Sequence, residues 1–279
     1  MEDFDTSVQI PQTGGKYRAH NPTEARATYW WTEEDGDRRR LWNAGRSRGL
    51  QKADKRLGGA LSATFAQLLQ DRESLTILEI GTGYAHVLLD LRMMASDRLE
   101  LHGINVEPGY NQQLIEEFAR DQGLDIPGIA PPTIHVHDAD NGVPFADETF
   151  DLIFSVATLH SIRDKLRLLE EVSRTLRPEG VALIEFPTAV NDMAGLPVPD
   201  HYRQRMEIWD RGTAVDVFDW LQSQRSVSVG QAADDRYVRI EKSGPLSFPA
   251  ELVASFSLPG IWEKWWGCQS IYRVVETAP

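Results

Sequence analysis

The residues best placed to do chemistry lie between Leu75 and Asp90, LTILEIGTGYAHVLLD, where Glu79 stands just ahead of Gly81-Thr82-Gly83. Glycines let the backbone turn sharply and approach a ligand, and a helix that starts after them presents unpaired N–H groups to an anion. A short apolar run, Leu75 to Ile80, precedes the turn, and apolar residues recur at helical spacing from Tyr84 to Met94. Strand, glycine turn and helix in this order open a nucleotide-binding βαβ unit. A dinucleotide fingerprint places Gly or Ala three residues after its second glycine; here that position is His86. By itself the turn is open to a nicotinamide nucleotide or ATP.

An acid about 20 residues after such a turn holds ribose hydroxyls, since a carboxylate accepts from both. The next apolar run, Leu99 to Val106, ends in Asn105-Val106-Glu107. An amide stands where the acid is expected, Glu107 follows on the same face of a continuing strand, and either residue suits the ribose. His135 and His137 share a face of the short run Thr133 to His137, with Asp138 and Asp140 after them. Two histidines near carboxylates suit zinc or iron, but no third ligand pattern joins them, so the expectation is no metal.

The elements that must position these residues follow from the apolar spacing. Phe150 to Val156 and Val181 to Phe186 are continuous apolar runs, as in a parallel sheet covered on both faces. Helices are predicted over Lys52 to Gln70, weakened by Gly58-Gly59, over Tyr110 to Gln122, and over Ile162 to Leu176, whose Leu166, Leu169, Val172, Ser173 and Leu176 share a face. After Phe186 the rhythm changes. Pro187, Pro197 and Pro199 punctuate the chain, short helices are expected at His201 to Asp210 and Thr213 to Gln224, and Val238 to Glu241 with Ser270 to Val275 are expected to close the sheet as a hairpin-like pair. Trp262, Trp265 and Trp266 are expected against the sheet edge.

The stretch from Asp138 to Phe186 adds an ordered set of motifs. These are Asp138-Ala139, Pro144-Phe145, Asp147-Glu148-Thr149-Phe150-Asp151, Leu159-His160 and Leu176-Arg177-Pro178-Glu179-Gly180. Together with Glu79-x-Gly81-x-Gly83, this set resembles class I S-adenosylmethionine-dependent methyltransferases over about Leu75 to Phe186. Two departures stand out: Glu179 replaces the first glycine of the last turn, and Gly103-Ile104-Asn105 replaces the usual Gly-Ile-Asp. The resemblance implies an α/β fold, a doubly wound Rossmann-like, mostly parallel seven-stranded sheet. The expected division is an N-terminal helical arm or lid over 1–60, the cofactor-binding core over 61–186, a substrate cap inserted after the fifth strand over 187–224, and C-terminal strands completing the core sheet over 225–279.

The resemblance also implies S-adenosylmethionine as the cofactor and assigns its contacts. Glu79 would face the cationic amino-acid end, Gly81, Thr82, Gly83 and Tyr84 would form the turn, and Asn105, Val106 and Glu107 would close on the ribose. Asp138 would accept from the adenine amino group, Ala139 would offer its backbone, and Ser155 and Val156 would border the methionine moiety. Methyl transfer is an in-line displacement, helped mainly by holding a nucleophile about 3 Å from the methyl. A base is needed only for an alcohol, phenol or protonated amine. His160 is the first candidate, its unperturbed pKa being near neutral; Glu185 and Tyr202 follow, with His201 and Tyr17 behind them.

Composition narrows the acceptor. The 279-residue chain holds 29 Lys and Arg against 42 Asp and Glu, a net charge of −13, which repels polyanions and argues against nucleic acid. The basic run Arg38 to Arg56 keeps RNA as a minor alternative, although charge runs usually serve only to wet a surface. Tyr29, Trp30, Trp31 and Trp42 in the arm suit a pocket cover or simple packing. A lone cysteine, Cys268, excludes an internal disulfide framework, and the acidic, polar start MEDFDTSVQI is neither a signal nor a transit peptide. The expectation is a cytoplasmic enzyme, without a membrane partner, acting on a small molecule by O-, N- or C-methylation, suited to specialised metabolism. Cyclisation or aminocarboxypropyl transfer on the same cofactor, and a non-catalytic regulatory domain, are the alternative readings.

Overall fold

Residues that are apolar on both faces can be strands only where both faces are covered, and that condition shapes the central sheet. The computed structural model describes residues 49–106, 108, 110–159, 162, 165–186, 205–210, 213–232, 236–248, 253–257 and 271–273. Its elements in order are α1 (Leu50–Arg56), α2 (Ala60–Asp71), β1 (Leu75–Ile80), α3 (His86–Ala95), β2 (Leu99–Asn105), α4 (Gln112–Asp121), β3 (Thr133–Val136), β4 (Phe150–Ser155), α5 (Lys165–Thr175) and β5 (Leu176–Phe186). These are followed by β6 (Arg205–Asp210), β7 (Thr213–Asp216), α6 (Val217–Gln222), β8 (Val227–Gln231), β9 (Arg236–Glu241), β10 (Val253–Ser257) and β11 (Ile271–Arg273).

Seven strands form one sheet in the order β3-β2-β1-β4-β5-β9-β8, the first five parallel and β9 antiparallel to both β5 and β8. The α/β class and the doubly wound, mostly parallel sheet expected from the sequence are present. Every residue of β1 and β4 is buried. On one face Leu75, Ile77, Leu152, Phe154 and Leu183 pack with α1, α2 and α3 through Ala53, Leu61, Phe65 and Leu88. On the other, Leu78, Ile80, Ile153 and Ile184 pack with α5 and α6 through Leu166, Leu169, Val172, Phe218 and Leu221. Residues two apart thus share a face, as the pleat requires.

The structure corrects four expectations about elements. The single helix over 52–70 is two helices, because Gly58 and Gly59 adopt φ +61° and +84° between them, a left-handed backbone open mainly to glycine. The helix expected at 201–210 is strand β6 over its described part; RMEIWD has apolar residues that fit either period, and pairing with β7 and β10 makes it a strand. The helix expected from Thr213 begins only at Val217, after β7, where the Asp216 carboxylate accepts from the N–H groups of Phe218 and Asp219 and so caps α6. Finally, β9 pairs with β8 rather than with the 270–275 segment. β11 pairs instead with β10, in a four-stranded antiparallel sheet ordered β11-β10-β6-β7. The predicted Trp262, Trp265 and Trp266 lie outside the described residues.

Charge secures the end of the sheet away from the β1 turn. Asp151, 1% exposed, accepts from the Thr76 N–H at 2.7 Å, from Arg177 at 2.9 Å and from Arg72. Removing the Asp151 carboxylate leaves the buried Thr76 N–H without its acceptor and two arginines without their counter-charge. Asp151→Ala is therefore expected to cost about 3 kcal/mol, read as a lower urea midpoint at unchanged slope. An irregularity inside β5, where its register against β4 shifts, offers the opposite case. A Cβ on Gly180 would lie 2.8 Å from the Arg177 carbonyl oxygen, so glycine is required there, whereas Glu179 sits at φ +61° with its residue exposed. Glu179→Gly is expected to stabilise by about 0.5–1 kcal/mol, the relief of left-handed strain less the added freedom of the unfolded chain. Urea unfolding of the two variants beside the parent checks both figures.

Candidate functional site

Sheet order reverses between β1 and β4: the chain leaves β1 toward β2 and returns to β4 on the other side. Crossovers part there, which opens a crevice beyond the strand ends. The Ser155 hydroxyl closes its floor by donating to the Ile80 carbonyl oxygen at 3.0 Å. The glycine turn follows immediately. Gly81 N–H and Thr82 N–H both donate to the Ile104 carbonyl oxygen, at 2.9 and 3.1 Å, which holds the turn over the end of β2. Gly81 has φ +76°, and a Cβ there would lie 2.0 Å from Thr158 Oγ1. Gly83, at φ +52°, faces open space among the described residues, none of which has an atom within 4 Å of where its Cβ would be. One glycine is thus needed by the fold, and the other leaves room for a ligand.

Asn105 grips that second glycine from the end of β2. Its Oδ1 accepts from Gly83 N–H at 2.9 Å, and its Nδ2 donates to the carbonyl oxygens of Gly83 and Tyr110, both at 3.2 Å. The Asn105 carbonyl oxygen accepts from His137 N–H at 2.8 Å, which brings Asp138 and Ala139 alongside. Asp138 Oδ1 accepts from Asp140 N–H at 3.0 Å and caps the single 3-10 turn Ala139–Asn141. The loop beyond is clamped from α5. Glu171 accepts from Val143 N–H at 3.0 Å, while Arg174 donates to the carbonyl oxygens of Val143 and Phe145, both at 2.9 Å. The hydrogen bond from Arg174, against the opposing effect of burial and with help from the Val143 N–H, holds the Glu171 carboxyl below its ordinary range.

Burial keeps the ionisable groups beside the turn uncharged. Glu79 is 5% exposed and accepts from the Thr82 hydroxyl at 2.7 Å. Burial pushes its pKa from 4.5 up to about 8, against the opposing hydrogen bond from Thr82 and with help from the Asp90 charge. His86 opens α3 with its pKa pushed down from 6.5 to about 4, by burial first and the Lys52 charge second. Its ring meets Phe118 edge-on at 4.6 Å, and Tyr84 packs against Tyr110 at 4.9 Å. His135 lies 3.3 Å from His102, and His137 contacts the Gly142 carbonyl oxygen at 3.1 Å. Among the described residues no group of three or more His, Cys, Asp or Glu could hold a metal ion.

The crevice therefore gathers Glu79, Gly81, Thr82, Gly83, Tyr84, Asn105, Val106, Asp138, Ala139, Ser155 and Val156 along the ends of β1 to β4. Glu185 stands apart in its contacts. It is 1% exposed, accepts from Ala157 N–H at 2.5 Å and pairs with Arg56 at 3.1 Å, so it props the turn after β4, where Ala157 has φ +54°. Glu107, His160 and Tyr202, together with Tyr17 and His201, lie outside the described residues. Sequence reasoning missed Thr158, Arg56, Glu171 and Arg174. Of these, Thr158 had a visible signal, its place immediately before Leu159-His160.

The Glu79 shift has a sign that can be measured. The folded chain holds a proton that the unfolded chain gives up, so this contribution to stability is complete below pH 4.5 and lost as pH rises to about 8. Glu79→Gln has no such proton. Its stability relative to the parent is expected to rise by about 1.4 kcal/mol per pH unit from about pH 6 to about pH 8. Urea unfolding across that range checks it, and parallel profiles for the two proteins would show Glu79 to be ionised already.

Residues 78–184 match the family described as methyltransferase domain. Among curated proteins the chain is 27% identical over 159 residues to dimethylglycine N-methyltransferase of Parasynechococcus marenigrum, covering 49% of this chain and 54% of that one. It is 28% identical over 133 residues to the sterol 4-C-methyltransferase strm-1 of Caenorhabditis elegans, covering 48% and 37% respectively. The match thus spans about half or less of the length of these relatives. A solved structure of a SAM-dependent methyltransferase from Aquifex aeolicus is similar at 22% identity and a TM-score of 0.42, covering 63% of this chain and 89% of that one.

Proposed function

From the class I S-adenosylmethionine-dependent methyltransferase domain that this chain carries over residues 78–184, we propose that the protein methylates a small-molecule acceptor at oxygen, nitrogen or carbon. The open space at Gly83, above a turn held on β2, is the observation that carries this reading. It is a cradle that a backbone-hugging ligand fills and a side chain would block. When bound, S-adenosylmethionine supplies an electrophilic methyl group on a sulfonium.

The residues of the chain divide the remaining work. The start of α3 faces the ligand's carboxylate with main-chain N–H groups, and Glu79 receives its ammonium group, ionising as the cation arrives. Val106 and Glu107 close on the ribose side, with Asn105 holding the turn beside them, Asp138 and Ala139 on the adenine, and Ser155 and Val156 on the methionine end. His160 is the base where the acceptor has a proton to lose, with Tyr202 as an alternative. Glu185 acts through Ala157, because its carboxylate already serves Arg56 and that N–H. The net charge of −13 favours an acceptor that is not a polyanion. The dimethylglycine and the sterol named for the two curated relatives make small amines and sterols the first acceptors to try.

The test is direct. Purified protein incubated with S-adenosylmethionine and panels of small amines, phenols and alcohols is expected to release S-adenosylhomocysteine only when an acceptor is present. Methylthioadenosine released from the cofactor alone would mark a non-methylating use of the same site. Calorimetry showing tight uptake of a nicotinamide nucleotide and none of S-adenosylhomocysteine would end the reading altogether.

A further inference from the structure

We propose that Asn105 is the positioning residue of the cofactor turn, holding Gly83 by both of its peptide groups, and that it is not a ribose ligand; this rests on the S-adenosylmethionine reading above. The carboxamide is nearly fully committed. Both Nδ2 hydrogens are donated, to Gly83 and Tyr110, and Oδ1 takes the Gly83 N–H. The orientation is fixed by its partners, since Oδ1 must face the one donor and Nδ2 the two carbonyl oxygens. Asn105 is 6% exposed, buried between the turn after β1 and the backbone leading into α4.

This explains why an amide stands where a carboxylate is usual. An aspartate could still accept from Gly83 N–H, but it would bring a negative oxygen against two carbonyl oxygens now 3.2 Å from a donor. It would push Gly83 and Tyr110 away and open the turn. Restoring the usual acid is therefore harmful in this chain, whereas a ribose contact would be served as well or better by a carboxylate.

The experiment is calorimetry of S-adenosylhomocysteine and its 2′-deoxy counterpart on the full-length chain and on Asn105→Asp and Asn105→Ala, with thermal melts of each unliganded protein. Asn105→Asp is expected to weaken S-adenosylhomocysteine binding by about tenfold or more, the loss of two hydrogen bonds plus repulsion. Asn105→Ala is expected to weaken both ligands alike, leaving the ratio of their affinities within about twofold of the parent's, a ratio that loss of an ordinary structural contact does not move. Should Asn105→Ala fail to fold, Asn105→Ser supplies the same ratio. Equal or tighter binding by Asn105→Asp, or a ratio collapsing to one in the alanine or serine variant, overturns the proposal. If the parent protein binds no S-adenosylhomocysteine, the cofactor reading falls and takes the proposal with it.

Discussion

Parallel strands laid side by side end together, and the peptide groups just beyond those ends lack ladder partners. Most of what distinguishes this site is a way of satisfying them. The Ile104 carbonyl oxygen takes the N–H groups of Gly81 and Thr82, the Ser155 hydroxyl takes the Ile80 carbonyl oxygen, and Glu185 takes Ala157 N–H. Asn105 serves Gly83 on both sides. Each bond is modest, about 1 kcal/mol. Their effect is collective: four separate connections leave the sheet at fixed positions around one crevice, and the ligand meets a surface that is already built.

Charge is distributed unevenly between the two ends of the sheet. At the far end Asp151 joins Arg72, Arg177 and the Thr76 N–H, and so ties the junction of β1, β4 and β5. Beside the turn, burial holds Glu79 protonated and His86 neutral at pH 7. A protonated Glu79 keeps a negative charge out of the interior, so the fold avoids most of the cost of burying an ion.

The core between Leu75 and Phe186 was legible because its signal is redundant. Continuous apolar strands, helical spacing, a glycine turn and the ordered motifs all demand the same fold. Outside it, single short segments carried the reading. RMEIWD has enough apolar residues for either period, and its partners β7 and β10 come from elsewhere in the chain, so local spacing could not decide. In the site, residue types located the glycines, Asn105 and Asp138 but could not say which hydrogen bond each makes. Glu185 is the clearest example: a carboxylate at a strand end suits catalysis, yet here it faces Ala157 N–H and Arg56 from α1, a partner 129 residues away in sequence. Thr158 and Arg174 escaped for the same reason, since a hydroxyl or guanidinium reaching a backbone carbonyl leaves no trace in composition.

The four-stranded sheet is knitted from two stretches of chain. β6 and β7 come before the β8–β9 hairpin and β10 and β11 after it, and β6 is the seam, paired with β7 on one side and β10 on the other. Such a unit cannot be exchanged as one cassette. Grafting the insertion that follows β5 into a related enzyme would transfer half a sheet with an exposed edge, so altering this region by recombination means moving both stretches at once, with the hairpin left in place between them.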